Sequence, residues 1–222
     1  MRVSLSGNID QVIGATARLH PQFRFAAAKA LTLTLRGAQQ LMPAAATGAL
    51  DRPTAFTLRG FYAQSAQKDN LQASVGVKDL QAKYLGYQVQ GGTRAPNRLA
   101  LRLPSTVALD ESGNLPKGVI ARLIAAAKSG RKLGKRLSSR AGLSQDVQLF
   151  YGKPRGTNLP AGIYRREKRG SKSVLVPVIV FPRQSATYQP RFDFYAVAHR
   201  HVVDTFDATL ARTWSEALAT AR

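Results

Sequence analysis

The stretch at the C-terminal end constrains this chain more than any other. Beyond Pro190 the sequence continues to Arg222 with no further Gly or Pro, which predicts a long helix. Pro190 suits its start because a first-turn residue has no use for its N–H, and Asp193 complements the dipole there. Phe194, Ala198, Val202, Phe206, Leu210, Trp214 and Leu218 recur every four residues, and Tyr195, Val203 and Ala217 broaden them into a core-facing stripe. Asp193, Arg200, Asp204, Asp207, Arg212 and Glu216 fall on the other side. Just upstream, Val174 to Phe181 is an apolar, β-branched run closed by Pro182, which predicts a strand. The fold class expected is α+β: an N-terminal helix, an antiparallel sheet with a middle helix and loops, and the long C-terminal helix packed on the sheet.

The remainder is expected to complete one domain over residues 1–222. Residues 1–50 read as helical from Leu5 to Leu41. Ile9, Val12, Ile13 and Ala17 have helical spacing, His20-Pro21 breaks the run, and Phe23 onward resumes it. Ala26, Ala27, Ala28 and Ala30 favour helix and permit close approach of a neighbour. Leu31-Thr32-Leu33-Thr34-Leu35 alternates and would also suit a strand, and Pro43 and Gly48 punctuate the end.

Residues 51–146 form a loop-rich middle. Arg52 precedes Pro53 and is biased away from the α region, so Asp51–Thr57 reads as a turn or extended segment. Leu71, Ala73, Val75 and Val77 alternate with polar or small residues, a half-buried strand. Asp79–Tyr87 predicts a short helix ending at Gly91-Gly92, and Thr93–Pro104 an edge strand or ordered loop. Asn114-Leu115-Pro116 opens a helix through Ala127. Within residues 147–222, Val147–Tyr151 and Gly162–Arg166 are strands, and Glu167–Lys172 is a hairpin tip. The terminal helix is expected to cover this small sheet.

Charge is where composition matters. Lys and Arg number 33 against 12 Asp and Glu, a formal net charge of +21 with a pI near 11.2. That imbalance implies a polyanionic neighbour. From Leu115 to Lys172 there are 15 basic residues and two acids, Asp146 and Glu167. At its centre, residues 128–140 carry Lys128, Arg131, Lys132, Lys135, Arg136 and Arg140 with no acid at all. These six can neutralise phosphates without reading bases, or meet an acidic partner protein. Gly130 and Gly134 suggest a flexible loop or arm. No aromatic interleaves them, which argues against a base-stacking single-strand site.

Signals of chemistry are few. The chain has no cysteine, which excludes disulfides, thiolate zinc sites and thiol catalysis. His199 and His201, two apart on the predicted helix, point to different faces and do not make an i, i+4 metal pair. Asp110-Glu111 is an adjacent couple in a turn. Neither Gly91-Gly92-Thr93-Arg94 nor Gly152-Lys153-Pro154-Arg155-Gly156 has phosphate-loop spacing, and no Ser sits in a nucleophile elbow. The expectation is therefore no enzyme, no cofactor and no metal. No segment approaches the ~18–20 uninterrupted apolar residues of a membrane span. Met1–Asn8 lacks a signal-peptide core, so no membrane partner is expected and assembly is placed in the cytoplasm.

Several stretches, in order, carry a resemblance: Asp51-Arg52-Pro53-Thr54-Ala55-Phe56-Thr57, Gly91-Gly92-Thr93-Arg94, Gly113-Asn114, Gly162-Ile163-Tyr164 and Tyr188-Gln189-Pro190-Arg191-Phe192-Asp193. Together, over roughly Phe25 to Arg222, the chain resembles the minor tail protein Z, or tail-completion (neck), family of tailed bacteriophages and prophages. The C-terminal part is closest. The resemblance implies a structural virion protein at the head-proximal end of the tail, assembled in the host cytoplasm. It implies a ring of copies, expected to be a hexamer, around the DNA channel, joining tail to head-to-tail connector. Partners would be further copies, other neck, connector and tail proteins, and duplex DNA held by non-specific electrostatics. The resemblance carries over no catalytic residues. Asp51, Arg52, Pro53, Phe56, Gly91, Gly92 and Arg94 are candidate subunit contacts, because these polar, Pro/Gly-punctuated segments do not read as core. The alternative is a free basic DNA-binding or packaging accessory protein.

Overall fold

The computed structural model describes residues 1–5, 21–95, 103–181 and 185–220. They form two compact units, one from Met1–Gly92 with Tyr188–Arg222 and a second from Thr93–Thr187. Before the crossing come β1 (Arg2–Leu5), α1 (Pro21–Ala49), α2 (Ala55–Leu58), β2 (Phe61–Gln64), β3 (Ala73–Val77) and α3 (Asp79–Gln90). The crossing strand β4 (Gly92–Arg94) leads to β5 (Leu103–Pro104), α4 (Val119–Ser129), α5 (Lys135–Ala141), β6 (Leu149–Gly152), β7 (Gly162–Arg169) and β8 (Lys172–Val180). Strand β9 (Ala186–Tyr188) pairs with β4, and α6 (Phe194–Thr220) ends the chain. The fold is α+β, as expected. The single domain of the sequence reading becomes two units because residues 93–187 bury a core of their own around Val119, Leu123, Ile163 and Ile179.

In the first unit α6 lies along α1. The alanines make that approach possible: Ala26, Ala27, Ala30 and Ala38 are buried, with Leu31 and Leu35 between them. At one crossing the His201 ring lies against Gly37, where an added Cβ would stand 2.4 Å from its Nε2 and the ring would have to shift. Thr213 donates its hydroxyl to the Ala26 carbonyl at 3.1 Å, Lys29 pairs with Glu216 at 2.7 Å, and Phe23 meets Trp214 edge-on at 5.0 Å. Both helices share a core with a three-stranded antiparallel sheet of order β1-β3-β2. Val75 stands between Val3 and Ala63 in register. Phe61 of β2 stacks on Phe194 at 6.4 Å and meets Phe192 at 6.0 Å. The terminal helix thus packs with this sheet, and the strands after the basic segment, on which it was expected, form part of the second unit.

Other expectations are corrected in this unit. The chain opens with a strand, where helix was read from Leu5. Ile9, Val12, Ile13 and Ala17 lie outside the described residues, as does His20. Helix holds through Leu31–Leu35, because its period buries Leu31 and Leu35 together with Ala38 and Met42. It also continues past Pro43, where a stop was expected, to Ala49. Burial of Met42 and Ala46 on either side of the proline holds the helix together despite the lost hydrogen bond. Strand β3 is buried at all five residues rather than on one face, since it is the central strand and Tyr62 folds over Gly76.

The second unit has a four-stranded antiparallel sheet of order β5-β8-β7-β6. Pro177 sits within β8, opposite Tyr164, at a register shift beside Ile163/Tyr164. A proline that cannot donate to a ladder belongs at such a bulge. The β7–β8 turn uses Gly170 at φ 62°. Helix α4 packs on β6 and β7, with α5 beside it. It begins at Val119, not at Leu115-Pro116 as read from sequence, because Gly118 turns left-handed (φ 79°) immediately before it.

Candidate polyanion-binding face

Lys128, Arg131, Lys132, Lys135, Arg136 and Arg140 all lie on the α4–α5 hairpin of the second unit, and all six side chains are exposed. The flexible arm expected from two glycines is instead a helix end, a five-residue turn and a second helix. Its anchor is Leu133, buried among Val107, Ala141 and Leu143. Two hydrogen bonds pin the hairpin: the Leu133 N–H donates to the Gln145 carbonyl at 3.0 Å, and the buried Ser138 hydroxyl donates to the Leu143 carbonyl at 2.5 Å. Gly130 and Gly142, at φ 64° each, terminate α4 and α5. The glycines shape the hairpin rather than loosen it.

The electrostatics of this face are one-sided. Lys132 pairs with Asp146 at 2.5 Å, and that hydrogen bond, reinforced by the charge, raises its pKa above the ordinary lysine value. Lys128, Arg131, Lys135, Arg136 and Arg140 have no acidic partner among the described residues. Lys135 and Arg136 occupy the first turn of α5 with no acid there, although the helix dipole disfavours cations at that end. A local rule broken on an exposed surface points to a task other than stability.

Tertiary structure adds a residue that the linear pattern missed. Tyr151 on β6, 40% exposed, receives the Lys128 ammonium 5.3 Å from its ring centre. No aromatic lies within 128–140, but the packing of α4 on β6 brings one to the edge of the face. Lys117, Arg122, Lys153, Arg155, Arg166, Lys168 and Lys172 are exposed on the same unit. Their residue types were visible in the basic count, though their placement was not. Arg165 differs, being half-buried and tied to Glu167 at 2.7 Å.

The candidate subunit contacts fall in two places on the first unit and its exit. Asp51 and Arg52 are exposed and pair with each other at 3.1 Å, and Arg52 has φ 44° before Pro53. The Arg52 guanidinium lowers the Asp51 carboxyl below its ordinary value. Pro53 is half-buried, whereas Phe56, in the short α2 capped by Thr54, is 54% exposed. Gly91 has an internal role: it ends α3 at φ 71°, and an added Cβ would lie 3.0 Å from Pro190 and from the Tyr188 carbonyl. Gly92 and Arg94 are exposed in β4, where the chain leaves the first unit.

Among the described residues no group of three His, Asp or Glu side chains could hold a metal ion. His199 is exposed and His201 half-buried over Gly37, on different sides of α6. No helix among them is long and apolar enough to cross a membrane. Comparison of the chain with protein-family models, curated proteins and solved structures finds no match.

Proposed function

We propose that the chain is a structural virion protein of a tailed bacteriophage or prophage. In this reading it is one subunit of the tail-completion (neck) ring that joins tail to head-to-tail connector around the DNA channel. The observation that carries the DNA-facing part is the α4–α5 hairpin, which holds five cations without acidic partners on a pinned, exposed surface. Such a surface gains from every phosphate it neutralises and imposes no base preference. DNA passing through a channel needs that kind of contact, since every sequence must pass. The setting in a ring is supported by the order of the motifs from Asp51 to Asp193.

Copy counting by mass spectrometry on purified particles, from a strain that carries this gene, tests the reading. A small fixed number, roughly six or twelve, is expected of a closed ring. Absence from particles, with abundant protein in the infected cytoplasm, overturns it. That outcome would favour a free DNA-binding or packaging accessory protein, a reading supported by the basic face residing on a compact unit of its own. Changing the six hairpin cations to Ser is expected to leave folding intact while impairing particle assembly or DNA retention. Normal infectious yield from that variant would contradict the role given to the face.

A further inference from the structure

Two surfaces of the first unit expose large apolar side chains that folding has left uncovered. On the first, Phe56 and Leu80 are 54% and 62% exposed and line a groove of about 520 Å³ together with Arg59, Lys78, Asp79 and Gln81. This groove is rigid. The buried Gln81 donates to the Phe56 carbonyl at 3.0 Å, Thr57 bonds the Tyr84 hydroxyl at 3.0 Å, and Lys78 N–H donates to Gly60 at 2.8 Å. Gly60 lets Gln81 approach, because an added Cβ would stand 2.6 Å from its Cγ. Arg59, Lys78 and, one turn beyond Leu80, Lys83 form an exposed cationic rim with no acidic partner among the described residues; Asp79 is the one opposing charge. Apolar anchors held in place in advance, within a charged rim, are the anatomy of a docking surface.

The second surface is the outer side of α6. Val203 is 63% exposed and is flanked by Asp204 and Asp207, with Ala208 and Ala211 exposed along the same side. Neither aspartate has an ion-pair partner among the described residues. In a chain of net charge +21, acids outnumber bases on α6: Asp204, Asp207 and Glu216 against Arg200 and Arg212. Glu216 is already committed to Lys29. Asp204 and Asp207 stand beside the exposed valine and outnumber Arg200, which lies one turn before it on the same side.

We infer that these surfaces are the two halves of one head-to-tail contact between copies of this chain. Phe56 and Leu80 of one copy seat against Val203 of the next, and the Arg59, Lys78 and Lys83 rim meets Asp204 and Asp207. Charge complementarity selects the occupant, since one patch is apolar within cations and the other apolar beside anions. Because the halves differ, the contact is heterologous, and heterologous contacts close into rings where the rotation permits. The inference rests on the ring reading above and names the surfaces that build it.

Cross-linking tests it in the full chain, which has no native cysteine to interfere. Leu80→Cys and Val203→Cys proteins, mixed under mild oxidation, are expected to give the mixed disulfide about tenfold above a Leu80→Cys and Ser171→Cys mixture, through raised local concentration. Reversing Arg59→Glu and Lys78→Glu on the Leu80→Cys chain is expected to reduce that product to the control level. Adding Asp204→Lys and Asp207→Lys to the Val203→Cys chain should restore it. A mixed disulfide no greater than the control, an equal yield of Leu80→Cys homodimer, or indifference to both charge reversals would overturn the proposal. The serine variant of the α4–α5 face is expected to cross-link like the parent. Failure of the interface is thus read separately from failure of the virion role, which copy counting decides.

Discussion

The two units of this protein solve opposite problems with charge. The first holds 14 basic and eight acidic residues, a net of +6, and the second 19 basic and four acidic, a net of +15 on a smaller unit. In the first, Lys29 is spent on Glu216, tying α1 to α6 across a core of small and apolar side chains. In the second, cations crowd a short hairpin where, among the described residues, Asp146 is the one acid paired with them. Self-repulsion is a cost that a fold accepts where a partner of opposite charge removes it. The difference teaches that the excess charge is not spread as a solubilising coat. It is concentrated on the second unit.

Core truncation should break the comparison most severely. Leu31→Ala in the first unit and Leu123→Ala in the second each remove a fully buried side chain, at a cost of about 2–5 kcal/mol. Native-state hydrogen exchange is expected to report each loss in its own unit: faster exchange in α1 and α6 for Leu31→Ala, and in β7 and β8 for Leu123→Ala. Equal acceleration in both units by either change would contradict two separate cores.

Next comes the charge itself. Duplex binding by the chain at low salt should weaken with salt, and changing the six hairpin cations to Ser should lower the log–log slope by about 5. Changing Lys68, Lys83 and Arg191 of the first unit is expected to leave the slope within about 1 of the parent. Equal slopes for the two variants would remove the distinction between the units.

A smaller effect is expected at Tyr164, fully buried in β7, whose hydroxyl donates to the Pro160 carbonyl at 2.5 Å. Burial raises its pKa. A folded-state value above the unfolded one gives stability that is present below about pH 10 and lost as pH rises beyond it. Tyr164→Phe should cost about 1 kcal/mol at neutral pH for the lost hydrogen bond and flatten this alkaline loss, as thermal melts from pH 8 upward would show. The least effect should come from Glu216→Gln. The Lys29 hydrogen bond lowers the Glu216 carboxyl below its ordinary value, so its contribution is present above the ordinary carboxylate pKa and fades as pH falls through the folded one. The variant should melt slightly below the parent at neutral pH, by no more than an exposed ion pair supplies, and converge with it in acid as the parent's carboxyl takes up its proton.

Local signals made much of this fold legible. Asp193 accepts the Ala196 N–H at 3.0 Å at the start of α6, Gly91 ends α3, and a hairpin turns within the stretch expected from Glu167 to Lys172, although the strands run on to Arg169 and from Lys172 and leave Gly170-Ser171 as the turn. What sequence spacing misjudged was accumulated phase. A strict four-residue repeat advances about 40° per step around a helix of 3.6 residues per turn. The stripe begun at Phe194 and Ala198 has therefore left the core by Leu218, whereas Ala217, counted as broadening it, is buried together with Thr213, which was not counted. Val203, counted as broadening the stripe, stands nine residues after Phe194 and so about half a turn away from it, on the exposed side. Glycines in the basic run suggested looseness because the anchoring of Leu133 depends on residues as distant as Val107. The division into two units escaped because the strands paired as β4 and β9 lie far apart in the chain.

Mapping protein–DNA cross-links in intact, DNA-filled particles would test the central claim most directly. Adducts are expected to concentrate between Lys128 and Arg140, with Tyr151 beside them, and to be few on the first unit. Adducts spread over α1 and α6, or a hairpin that forms none while the DNA is in place, would contradict it.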